Sequence, residues 1–137
     1  TFEAKYFYNF WRPITAIRLG DTDGNPETIA DPAWTSFLVT PPIPDNSSGH
    51  AIAGAAVAKV FGEFFDNDNI GFTSTSGPPF AGITRSFTSF SQAAQENADS
   101  RVYAGIHFRS ATVDGLRQGD KVGRFVWNHC LKPVRGH

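Results

Sequence analysis

Apolar positions recur at three- and four-residue steps over residues 2–19, through Phe2, Tyr6, Phe7, Phe10, Trp11, Ile14 and Ile17. That period is helical, and Pro13 kinks the helix or ends its first part. Over residues 20–46 the period is lost. Pro26, Pro32, Pro41, Pro42 and Pro44, with Asp21, Asp23, Gly24 and Asn25, make the segment a long loop, with a short helical turn around residues 33–38. Ser47 or Ser48 then suits an N-cap, and a helix rich in Ala and Val follows over residues 50–65. Its small residues, Ala51, Ala53, Gly54, Ala55 and Ala58, predict close packing in a helical core. Residues 66–85, rich in Gly, Ser, Thr and Pro, read as a second loop. A third helix is expected from about Phe87 into Phe108, starting near Ser86 or Thr88. A fourth is expected over roughly residues 114–131, with Val113, Leu116, Val122, Phe125, Val126 and Trp127 as its apolar side. No repeat and no alternating strand pattern of useful length is visible. The expected class is all-α: a helical bundle of about four main helices with two long loops, in a single domain over residues 1–137.

Composition narrows this further. A chain of 137 residues can bury about two thirds of its unfolded surface. Its 40% apolar content excludes a disordered chain. A net charge of −1 lacks the basic surplus of a nucleic-acid binder. The lone cysteine, Cys130, excludes an intrachain disulfide and a thiolate zinc site, and reads as a small buried hydrophobe. No apolar run is long enough to span a membrane, and the start carries no signal-peptide pattern. The absence of methionine, even at position 1, marks a processed chain or a piece of a longer one.

Long loops inside a small domain tend to line sites, so the loop-to-helix junctions hold the candidate chemistry. Lys5 and Arg12 lie two helical turns apart and fall on one helix face. Alone they read as solvated cations, but Phe7, Phe10 and Trp11 around them predict that much of this helix is buried. Ser47-Ser48-Gly49-His50 stands where the Pro-rich loop becomes a helix. Free N–H groups, the dipole and a glycine let an oxyanion approach there, and His50 in the first turn can exchange a proton with it. Arg101 and His107 are six residues apart, about 120° around an ideal helix, and a break near Gly105 would bring them together. Three permanent cations with Ser48, Gly49, His50 and His107 suit a small, highly charged tetrahedral oxyanion.

Lys5-x6-Arg12-Pro13, then Ser48-Gly49-His50, then Ser100-Arg101-x5-His107, resemble the three-part signature of the type 2 phosphatidic acid phosphatase and vanadium haloperoxidase superfamily. Phe10-Trp11-Arg12-Pro13 and the Pro-rich approach to Ser48 look like its chloroperoxidase branch. The resemblance implies a part of the haloperoxidase helical bundle. It implies that Lys5, Arg12 and Arg101 neutralise the oxygens of vanadate, or of phosphate as its mimic, while Ser48 and the Gly49 N–H hydrogen-bond them. His107 would be the axial vanadium ligand in a haloperoxidase or the nucleophile in a phosphatase, and His50 the acid–base partner. The substrates implied are halide and hydrogen peroxide, or a phosphate ester. A non-catalytic oxyanion-binding fragment is the third alternative.

Departures accompany the resemblance. Asn46 and Ser47 stand where relatives have an aromatic residue and a proline, which predicts a less rigid loop. Ala111 stands four residues after His107, where relatives place an aspartate that orients the imidazole; Asp114 is the expected substitute. Relatives carry further helices upstream of the lysine, so an upstream segment or self-association is expected to cover open apolar faces. Ile43, seven residues before His50, lies where relatives tune halide choice. Asp21-x-Asp23-x-Asn25 lacks the glycine of a calcium loop and reads as a solvated turn. The Asn46-Ser47-Ser48 sequon is discounted because a glycan would block the pocket; His129 and His137 read as exposed.

Overall fold

Pro13 decides the shape of the N-terminal segment. In the computed structural model, which describes residues 2–130, it starts a helix instead of kinking one. Helix α1 (Phe2–Tyr8) ends at Asn9, which takes a positive φ of 45°. Arg12 is extended, as a residue before proline must be, and α2 (Pro13–Arg18) follows with Pro13 in its first turn. The expected helix over residues 2–19 is therefore two short ones. The expectation that its aromatic residues are buried is also corrected. Phe7 is 80% exposed, Phe2, Tyr6, Tyr8 and Phe10 are open as well, and the buried residue of α1 is Lys5.

A 3-10 turn (Gly20–Thr22) leads into the long loop, which contains turns at residues 31–34 but no helix at 33–38. Backbone hydrogen bonds hold the loop at separate points. Asp31 N–H donates to Ile17, Leu38 N–H to Ala104, Asp45 N–H to Phe10 and Ser48 N–H to Ala111. Asp23 accepts from Asn25 N–H in an exposed turn. Ser48 caps α3 (Gly49–Phe64) by accepting from Ala51 N–H.

The second loop contains an antiparallel hairpin, β1 (Phe72–Thr75) with β2 (Thr84–Phe87), pairing Phe72 with Phe87 and Thr75 with Thr84. Its strands are exposed on both faces apart from Phe72 and Phe87, so they carry no inside-outside alternation. Phe72 packs on Phe87 and on Phe90, which anchors the hairpin to α4 (Phe90–Tyr103). That helix is shorter than expected at both ends. Helix α5 (Arg109–His129) starts five residues before the expected position.

Helices α3 and α5 make the main packing of the molecule. Its basis is a stripe of glycines at four-residue steps. A Cβ on Gly115 would stand 2.8 Å from the Ser48 carbonyl oxygen, one on Gly119 2.6 Å from Ala55 Cβ, and one on Gly123 2.6 Å from the Ala56 carbonyl oxygen. The buried side of α5 is thus Ala111, Thr112 and these glycines, while Val122 and Phe125 face solvent. Ala51, Ala55, Ala94 and Ala98 complete a core of small residues. Cys130 is exposed, because it follows the end of α5 beyond this packing; His129 is exposed too, and His137 lies outside the described residues. The protein is mostly helical, and no helix among the described residues is long and apolar enough to cross a membrane.

Candidate functional site

The head of α3, the loop before it, the α4–α5 turn and the N-terminal segment meet around a cleft of about 420 Å³. Phe2, Lys5, Arg12, Pro41, Ile43, Gly49, His50, Ala53 and His107 line it. Other clefts are as large, but the one along α3, α4 and α5 mixes Lys59 with Glu63, Asp66, Asp68 and Asp120 and gathers no cationic set.

Lys5 is 3% exposed. Its Nζ donates to the carbonyls of Pro44 at 2.9 Å and Asp45 at 2.7 Å. Burial, then repulsion from Arg12, lowers its pKa to about 8 against an opposing pull from Asp45. Arg12 donates through Nε to the Ile43 carbonyl and through NH1 to the Ile106 carbonyl, and NH1 lies 3.2 Å from His107 Nε2. Burial holds its pKa below the usual arginine value, with Asp45 opposing. Lys5 on α1 and Arg12 just before α2 both point inward, while the aromatic residues beside them on α1 face out. Carbonyls take two of the three Lys5 N–H donors, and the Arg12 NH2 group has no protein partner among the described residues.

The head of α3 supplies neutral donors. Beyond its chain neighbours and the adjoining backbone of α3, no atom lies within 4 Å of a Cβ placed on Gly49, so the cleft reaches its backbone. Ser48 lies fully buried beneath, its hydroxyl accepting from Ala51 N–H. Ser47 Oγ donates to Gln118 at 2.9 Å, and Asn46 Nδ2 lies 3.5 Å from Asp114, so both loop residues are tied to α5. His50 stays open to solvent at the rim. The partial burial of its ring, then the charge of Arg101 and the nearby His107, lower its pKa and favour the neutral ring.

The turn between α4 and α5 has a defined geometry. Gly105, at φ +72°, follows the cap residue Ala104; Gly105 N–H donates to Val102 and Ile106 N–H to Arg101. This is a Schellman motif, which sets the step from Arg101 to His107. Arg101 is half-buried, donates to Ser100 Oγ and acts electrostatically on His50, with burial lowering its own pKa. His107 is buried, with Nε2 toward Arg12 and Nδ1 2.5 Å from Asp45 Oδ1.

Asp45 is the residue that sequence reasoning missed. It is fully buried, Oδ2 accepts from Phe108 N–H at 3.3 Å, and Oδ1 is 3.8 Å from Arg12 NH1. The expected substitute for the absent aspartate, Asp114, instead faces Asn46 and Arg117. An aspartate among prolines reads as a turn former, and no local pattern signals a partner 62 residues away.

Of the residues singled out in the sequence, Lys5, Arg12, Gly49, His50 and His107 therefore line one cleft. Ser48 underlies it and Arg101 stands beside His50. Residues 1–136 match the model of the VCPO second helical-bundle domain. The chain belongs to that family. Vanadium chloroperoxidase of Curvularia inaequalis is 24% identical over 154 residues, covering 80% of this VCPO-type chain and 25% of the relative. A crystal structure of a bacterial vanadium-dependent iodoperoxidase is 40% identical with a TM-score of 0.79, over 92% of this chain and 28% of the other. A holo-form bacterial vanadium-dependent chloroperoxidase, 22% identical with a TM-score of 0.73 over 92% of this chain and 31% of the other, shares the fold. The chain spans between a quarter and a third of the length of these relatives.

The donor set of the cleft fits a polyanion. Among the described residues no group of three or more His, Cys, Asp or Glu side chains gathers as for a bare cation. Cations, backbone N–H groups and one buried imidazole suit an oxyanion of vanadium or phosphorus instead.

Proposed function

We propose that this chain forms a haloperoxidase-like helical domain that holds vanadate and oxidises a halide with hydrogen peroxide. The convergence of Lys5, Arg12, Gly49, His50 and His107 on one cleft carries this reading. Lys5, Arg12 and Arg101 neutralise the oxyanion, the Ser48 hydroxyl and Gly49 N–H hydrogen-bond it, and His107 is the single protein ligand to vanadium. Bound vanadate supplies Lewis acidity that activates peroxide toward halide, giving a hypohalous equivalent. His50 is held neutral, so its ring accepts a proton from incoming peroxide. Its place at the rim lets it return that proton to solvent or product. The charge-rich floor and the walls of Phe2, Pro41 and Ile43 suit a small anion meeting a small neutral oxidant.

The test is peroxide-dependent bromination of a phenol dye by the purified chain, with and without orthovanadate, beside phosphate-ester hydrolysis. Halogenation appearing only with vanadate is expected. Hydrolysis inhibited by vanadate, without halogenation, replaces this reading with an acid phosphatase using a His107 nucleophile. Neither activity, with phosphate still bound, leaves a non-catalytic oxyanion-binding piece.

A further inference from the structure

Within the oxyanion reading above, we infer that Asp45 is the positioning residue for His107. It fixes the proton on Nδ1 and leaves the Nε2 lone pair to the bound anion.

The Arg12 guanidinium only donates, and its NH1 lies 3.2 Å from His107 Nε2. Nε2 must therefore offer a lone pair, since an N–H there would set two donors against each other. A neutral imidazole carries one proton, which then sits on Nδ1. Asp45 Oδ1 is 2.5 Å from that nitrogen, and both groups are buried. The pair has the distance of a hydrogen bond without its alignment, and among the described residues neither atom has a hydrogen-bond partner. Charge attraction does not need that alignment, and the carboxylate is the acceptor nearest the proton.

Asp45 is itself held on every side by the parts that build the cleft. Its N–H donates to Phe10, its carbonyl accepts from Lys5, and its Oδ2 accepts from Phe108 N–H at the start of α5. Local sequence offers no other carboxylate for this task. Ala111 occupies the position four residues after His107, and Asp114 points to Asn46 and Arg117.

Asp45→Asn keeps the size and one acceptor but loses the charge. The test compares its affinity for orthovanadate, by vanadium NMR, with its affinity for inorganic phosphate, by calorimetry. Vanadate bonds to Nε2, whereas phosphate relies on the surrounding cations. A loss of about 10–100-fold for vanadate is expected, with phosphate changed less than about threefold. Equal losses for both anions, or none, overturn the assignment, because a merely structural role moves both together. Nitrogen NMR of the neutral ring reads the proton directly. The wild-type chain is expected to carry Nδ1–H on His107, and an Nε2–H form overturns the inference even where Asp45→Asn fails to fold. A wild-type chain that binds neither anion overturns the oxyanion reading, while the ring proton still decides the role of Asp45.

Discussion

Lys5 places its ammonium 2.7 Å from the carbonyl oxygen of Asp45, in a site so dry that its pKa falls to about 8. A bound anion favours the charged lysine, so anion affinity falls as pH rises through that value. Sulfate, whose charge is constant over this range, is the ligand to titrate by calorimetry at pH values on either side. Lys5→Arg keeps its charge and is expected to flatten the decline. In the empty protein the sign for stability is opposite. Between about 8 and the ordinary 10.5 the unfolded chain binds more protons at Lys5 than the folded one, so this group's contribution to stability rises with pH there. Denaturant unfolding of wild type and Lys5→Met across that window checks it.

Gly119→Ala is expected to be among the most damaging small substitutions. Its methyl would press on the Ile52 carbonyl oxygen and on Ala55 Cβ. Backbone cannot step aside as a side chain can, and overpacking of this kind costs about 3 kcal/mol. Chemical denaturation reads the loss directly. A variant with unchanged stability would mean that α3 and α5 do not pack at this distance.

Gly49→Ala separates binding from folding. The Cβ meets nothing within 4 Å, so the thermal midpoint is expected to stay near wild type. The same methyl enters the space beside the first N–H groups of α3. A drop in phosphate or vanadate affinity of about tenfold, worth about 1.4 kcal/mol, is expected in calorimetry.

His107→Ala is expected to abolish vanadate-dependent halogenation while leaving sulfate binding largely intact, because Lys5 and Arg12 remain. Steady-state assays beside sulfate titration make the comparison. Full turnover in this variant would remove His107 from its proposed role.

The helical segments and the motif residues were legible because their signals are local. Ser48 and Gly49 announce the head of α3, and Gly105 marks the turn that joins Arg101 to His107. What escaped depends on distance or on exposure. Asp45 meets His107 only after 62 residues of chain have folded back. The hairpin has polar side chains on both faces, so Phe72 and Phe87 alone give no alternation. The helical period over residues 2–19 is divided between two short helices, because α1 ends at Asn9 and Pro13 starts α2, and its apolar residues do not mark the buried side, which holds Lys5 while Phe7 faces out. On α5 the larger apolar residues drew attention, whereas contact is made by glycines, whose weight in packing lies in what they lack.

The glycine stripe has an effect on how this protein can change. With α3 and α5 pressed together along Gly115, Gly119 and Gly123, the head of α3 and the imidazole ahead of α5 are held in a fixed relation. Variation that alters reactivity without loosening that relation falls to Phe2, Pro41 and Ile43 around the mouth. New preferences among small anions would then arise by reshaping the entrance, with the machinery beneath it untouched.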